Sequence, residues 1–267
     1  MANVNQKESM STTKDLSVDR DISAKMSAIA SILANEGIAF NKHLVEQFKR
    51  WEALNPKQFG KLADIPKEHI VFYQSISQTI GWMQQLPLEK SEDAGEIPSL
   101  LLAYFQILLE ARTGKVGDIG QRLEQIREVS RKDNANANKP RRFLGVISCL
   151  ETWSQVDLTS ATITGAFNLE ILQNSALNAC GRARWSALAP LKMYALVKKM
   201  GANTPKAIYP PMGRGVSRGI ERFLGFALGE SENDYTIARD LHLKLAELSG
   251  ASVWDINSSF YRLGGGK

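Results

Sequence analysis

Residues 22–33 read ISAKMSAIASIL, with Ile22, Met26, Ile29 and Leu33 separated by intervals of four, three and four. That spacing gathers the four large apolar side chains on one side of a 3.6-residue turn and would scatter them over both faces of a strand, so it predicts an amphipathic helix. Asn35, Glu36 and Gly37 offer the stop signal behind it. The same period recurs downstream. Residues 44–54 form a short helical pattern, and residues 66–86 a longer one with Phe72, Ile76, Ile80 and Met83 on one face. Residues 99–111, SLLLAYFQILLEA, are apolar almost all round, as expected of a helix buried at the centre of a bundle. Further helices are expected at 116–130 and 143–153, at 158–179 as two short pieces broken near Gly165, at 185–200 with Pro190 as a kink or start, at 217–228, and at 234–248 ending before Gly250. No run rich in Val, Ile and Thr alternates long enough for a strand, and no long repeat is visible. The expected fold class is all-α.

The chain has 267 residues, of which 43% are hydrophobic and 23% charged, so it can bury a sizeable core and has the composition of a folded protein. Five regions are expected. Residues 1–21 are polar, without sustained period, and read as a flexible N-terminal arm; 22–131 form an N-terminal helical lobe; 132–139, containing Asp-Asn-Ala-Asn-Ala-Asn, form a hinge; 140–250 form a C-terminal helical lobe that binds nucleic acid; 251–267 form a second arm. No apolar stretch reaches the length of a spanning helix and no secretory leader pattern is present, so no membrane partner is expected. Cys149 and Cys180 are too few for a disulfide framework or a four-ligand zinc site and read as small buried residues.

Charge becomes informative once divided. From Arg131 to Arg222 there are 14 basic and five acidic residues, a net +9, against 19 basic and 23 acidic in the remainder, a net −4. Arg182, Arg184, Lys192, Lys198, Lys199, Lys206, Arg214, Arg218 and Arg222 form one cluster in which Glu221 is the sole acid, and Arg131, Lys132, Lys139, Arg141 and Arg142 form another. Such clustering is the footprint of a surface that follows a phosphate backbone.

Motifs for other chemistry fail on inspection. His43, His69 and His242 are too far apart for a metal spacing and read as surface or helix-packing residues. Gly114-Lys115 lacks both the leading glycine and the trailing hydroxyl of a phosphate-gripping nucleotidase loop, and the glycines at 213, 215 and 219 follow Tyr209-Pro210-Pro211 where a dinucleotide loop would follow a strand. No nucleophile elbow or defensible acid and base pair is present. No cofactor and no enzymatic activity are expected.

What remains is the stretch 202–222. Its glycines allow close backbone approach, Ser217 is placed to cap a helix, and Arg218 and Arg222 share a face of that helix, where guanidinium forks can hold phosphate oxygens. Tyr209, Trp185 and Tyr194 are candidate stacking surfaces for unpaired bases, weighed against the commoner role of aromatics at helical spacing as core. The preferred ligand is single-stranded nucleic acid bound with little sequence preference.

The order of motifs in this region is also familiar. Tyr209-Pro210-Pro211-Met212-Gly213, Ser217-Arg218 with Arg222, Phe226-Ala227, Ala238-Arg239-Asp240-Leu241-His242 and Phe260-Tyr261-Arg262-Leu263-Gly264-Gly265 resemble the C-terminal half of coat proteins of flexible filamentous plant viruses, the potyvirus-like group especially, or a related viral nucleoprotein. The resemblance covers roughly residues 168–265. Arg182, Arg184, Ser186 and Tyr194 fall where that family has an Arg, Ser and Tyr helix. Where the family has an aspartate just after the arginine helix, this chain has Phe226 to Gly229, with Glu230 the nearest acid.

The resemblance implies a helical core with exchanging arms, homo-oligomer assembly, and genomic single-stranded RNA in a groove, hence a place in the virion and the host cytoplasm. Taken with the charge pattern, it makes Arg182, Arg184, Ser186, Arg214, Ser217, Arg218 and Arg222, with Lys139, Arg141 and Arg142, the expected RNA-binding residues. The rival readings are a cellular helical adaptor or regulator that meets an acidic protein or DNA through its basic surface, and a helical enzyme whose site is assembled from dispersed residues.

Overall fold

The computed structural model describes residues 9–53, 67–83, 106–108, 110, 121–122, 153, 163–180, 184–200, 206–229 and 231–266. These residues are 82% helical and contain no strand, an all-α fold. The helices are α1 (Ser9–Ala53), α2 (Lys67–Met83), α3 (Ile163–Cys180), α4 (Arg184–Val197), α5 (Arg214–Leu224), α6 (Glu232–Ser249) and α7 (Val253–Leu263).

Several boundaries differ from the sequence reading, among them the helix expected at 217–228, which spans Arg214–Leu224. The stop expected at Asn35 to Gly37 does not operate, because α1 runs unbroken to Ala53 and absorbs the separate helix expected at 44–54. Gly37 serves packing there: it is buried, and a Cβ on it would overlap the Asp255 carbonyl oxygen of α7. Helical backbone also starts at Ser9, within the stretch 1–21 read as a flexible arm. The break expected near Gly165 is absent, and α3 continues through it. Pro190 is tolerated inside α4.

Contacts divide the chain into two compact units, one made of Met1–Phe40 with Met212–Lys267 and the other of Asn41–Pro211. The hinge expected at 132–139 lies outside the described residues, and the division falls elsewhere, so the lobes 22–131 and 140–250 do not correspond to these units.

In the Asn41–Pro211 unit, α4 packs against α2 and α3. The core is aromatic at its centre: the Phe72 ring meets the edges of Trp153 and Tyr194 at centroid separations of 5.3 and 5.2 Å, a geometry that satisfies the ring quadrupoles. The Trp153 indole N–H donates to the Leu172 carbonyl at 3.0 Å, so this fully buried side chain leaves no orphan donor. Gln173, itself buried, ties down the chain ahead of Met212 by donating to the Ala207 carbonyl and accepting from the Tyr209 amide.

In the other unit, α7 packs against α5 and α6. Helix α5 is sharply two-faced: Val216, Gly219, Ile220 and Leu224 are buried, while Arg214, Arg218, Glu221 and Arg222 are exposed. Close approach is what glycine supplies at Gly219, where a Cβ would overlap the Phe260 carbonyl of α7. Helices α6 and α7 each start with a capping box, Ser231 with Asp234 and Ser252 with Asp255, in which hydroxyl and carboxylate satisfy amides that a helix start leaves free. Residues 251–266, within the segment 251–267 expected to be a second arm, instead belong to this unit. Trp254, Ile256 and Phe260 are fully buried, and the Ser259 hydroxyl donates to the Leu33 carbonyl of α1. The signal for α7 is Ser252-Val-Trp-Asp255, a cap followed by Trp254, Ile256 and Phe260.

Candidate functional site

The arginine pair predicted on one helix face forms as expected. Helix α5 begins after Gly213, whose extended backbone leads into Arg214, and the four-residue interval carries Arg218 and Arg222 up the exposed side. Both line an open concavity of about 570 Å³ whose other walls are Glu36 of α1 and Arg262, Leu263, Gly264 and Gly265 at the end of α7. Three guanidinium groups and one carboxylate therefore face one depression.

The charges in it are differently engaged. Arg218 makes no hydrogen bond or ion pair with any described residue. Arg222 donates through one Nη to the Leu263 carbonyl at 3.1 Å, covering a carbonyl that the end of α7 leaves free. That uses one of five guanidinium donors. Arg262 is held by Glu36 through Nε at 2.6 Å, and its guanidinium carbon sits 5.6 Å from the centre of the Phe40 ring. Among the described residues neither Arg218 nor Arg222 pairs with Glu221 or Asp234, and Glu230 lies outside them. Asp234 is engaged instead by Ser231, whose hydroxyl and amide hydrogen bonds hold its carboxyl below the ordinary value.

The remaining expected site residues fare unequally. Ser217 does not cap α5: Gly213 is the N-cap without a side-chain bond, and the Ser217 hydroxyl donates to the Leu228 carbonyl at 2.6 Å, pinning the loop that leaves the helix. Its role is to hold the chain. Arg214 is exposed on the first turn of α5 and does not line the concavity. Arg184 and Ser186 stand on the first turn of α4, in the Asn41–Pro211 unit. Arg182, Lys139, Arg141 and Arg142 lie outside the described residues.

Tyr194 is corrected from a stacking candidate to a core residue. It is 4% exposed against Phe72, and burial, with the Glu68 carboxylate adding to it, pushes its hydroxyl up to about 12. Tyr209 is half-buried. His242 is a packing residue: fully buried, it sets Nδ1 2.5 Å from the Ala238 carbonyl and Nε2 3.3 Å from the Asn257 amide nitrogen, with its ring on the edge of Phe260.

Sequence reasoning missed Arg262 and Glu36. Arg262 was visible only as one letter of the Phe260 to Gly265 motif, and Glu36 only as part of a helix stop. A fold that bends α7 back onto α5 and α1 is needed to bring them to the arginine pair. Among the described residues no His, Cys, Asp and Glu cluster is suited to a metal ion, and no helix is long and apolar enough to cross a membrane. Comparison with protein-family models, curated proteins and solved structures finds no match to this chain.

Proposed function

We propose that this protein is a viral coat or nucleocapsid protein that polymerises along single-stranded RNA, gripping the phosphate backbone with little regard to base. The observation that carries the reading is the concavity in which Arg218, Arg222 and Arg262 meet with Glu36 as the lone carboxylate. Guanidinium forks match phosphate oxygens in charge and geometry, and a charge-assisted hydrogen bond contributes about 1.5–3 kcal/mol where a surface ion pair contributes about 0–1. Contacts of this kind position a strand and carry no sequence information.

The net +9 between Arg131 and Arg222 gives the same sign along the sequence that leads into this helix. The resemblance of residues 168–265 to filamentous plant-virus coat proteins supplies the polymerising role and, with it, the virion and host cytoplasm as the places of action. With 253–263 packed against α5 and α6 in its own subunit, exchange between neighbours falls to the N-terminal stretch.

Electron microscopy of the purified full-length protein, with its absorbance ratio at 260 and 280 nm, tests the proposal. Rods or rings carrying nuclease-sensitive RNA are expected. A small species free of nucleic acid would contradict the reading and leave the adaptor in its place.

A further inference from the structure

Glu36 and Arg262 belong to the depression that holds Arg218 and Arg222, yet they are not a buried structural pair. Their side chains are 37% and 53% exposed, and their Nε to Oε1 distance is 2.6 Å. Glu36 approaches closest at Nε of Arg262, one of five donors in a guanidinium fork whose geometry matches phosphate. Phe40 lies 5.6 Å from the guanidinium carbon and holds the group in place independently of Glu36.

An exposed ion pair contributes about 0–1 kcal/mol, so exchanging the carboxylate for another oxyanion costs little. The carboxylate of Glu36 thus stands beside Arg262 as a phosphate oxygen would, in a depression whose other charged groups are both cations.

We infer that Arg262 is a third phosphate-contacting residue of the site and that Glu36 is its built-in competitor, an internal anion that a polyanion displaces on binding. The inference rests on the phosphate reading of the arginine site and adds to it a residue and a brake. It follows that the free subunit binds RNA less tightly than its three arginines allow, and that the restraint acts through a single pair.

A double-mutant cycle tests this with the full chain, fluorescein-labelled oligouridylate and anisotropy over a range of salt. Each contact to a phosphate of a single strand contributes about 0.7 to the slope of log K against log salt, so Arg262→Gln should lower the slope by that amount. Glu36→Gln, which keeps the shape and removes the charge, should tighten binding by up to about fivefold, the full value of an exposed pair. In the Arg262→Gln background that gain should fall below about twofold. Equal gains in both backgrounds would show that Glu36 acts as diffuse charge, and an unchanged slope in Arg262→Gln would remove Arg262 from the site.

Either result overturns the inference. If Arg262→Gln fails to keep the parent melting temperature, Arg262→Met, which keeps the apolar stem and removes the charge, takes its place in the cycle, and a Glu36→Gln that fails to tighten binding overturns the inference by itself. Arg218→Ala with Arg222→Ala separates the two levels: loss of binding there with no effect at residues 36 and 262 keeps the phosphate reading and sinks only the competitor, while no loss anywhere sinks both.

Discussion

Gly219→Ala is the sharpest test of how α5 and α7 build the site. The added Cβ would overlap backbone of Phe260, its carbonyl oxygen, carbonyl carbon and Cα, and no rotamer change moves backbone aside. Regaining ordinary contact requires the two helices to part by more than an ångström. Overpacking of this kind costs about 1–3 kcal/mol, and the rigid obstacle puts this case in the upper part of that range. Alanine returns up to about 1 kcal/mol of helix propensity over glycine, which leaves a net loss of about 1–2 kcal/mol. For a chain of this size that is a fall in Tm of roughly 2–8 °C.

RNA affinity should fall as well, because parting α5 from α7 moves Arg262 and Leu263 away from Arg218 and Arg222. Gly225→Ala is the matched control. Gly225 has φ of 84° and open space around a would-be Cβ, so its cost is backbone strain of about 1–2 kcal/mol with no displacement of α7, and affinity should hold. Asparagine at 225 should recover most of that loss. Differential scanning calorimetry and anisotropy on the variants read both quantities. A Gly219→Ala protein with the parent Tm and affinity would refute the close packing of α5 on α7.

Tyr194 predicts an alkaline weakness. Its hydroxyl is raised from 10.0 to about 12 in the folded chain, so between those values the unfolded form loses its proton first and stability falls as pH rises, by up to about 1.4 kcal/mol per pH unit. Tyr194→Phe should flatten the decline in urea unfolding between pH 10 and 12; identical declines would argue against burial of the hydroxyl. Ser231→Ala should cost about 1 kcal/mol through loss of the α6 cap. The folded Asp234 carboxyl lies below 3.8, so the cap's share is present above that value and fades as pH falls through the folded one. The difference between parent and Ser231→Ala in thermal unfolding should therefore shrink in acid, and a constant difference would detach Asp234 from the cap.

Periodicity made the helices legible because each buries a stripe: Val216, Ile220 and Leu224 on α5 and Phe72 with Ile76 on α2 announce their faces from sequence alone. Stops were less legible. Gly37 reads as a helix end in sequence, yet it is a contact point for α7, and only the neighbour distinguishes the two uses. Helix α7 was passed over because Trp254, Ile256 and Phe260 are interleaved with Asn257, Ser258 and Ser259, all three polar and buried. Ser259 finds its acceptor in the Leu33 carbonyl, a partner 226 residues away that no local rule could supply.

The site divides along the same line. Arg218 and Arg222 were found because they share a helix, whereas Glu36 and Arg262 enter only through tertiary structure. Tyr194 stayed open between stacking surface and core because an aromatic at helical spacing looks the same in core and groove; its burial decides for core.

If Arg218 and Arg222 hold the phosphates of single-stranded RNA, the salt dependence of binding must change when they are removed. Two phosphate contacts contribute about 1.4 to the slope of log K against log salt for a single strand. Arg218→Ala with Arg222→Ala should weaken binding to oligouridylate and to a mixed-sequence RNA alike and lower the slope by that amount. Circular dichroism and Tm should stay close to the parent, since neither residue is buried. An unchanged slope and affinity in a folded double variant would contradict the account.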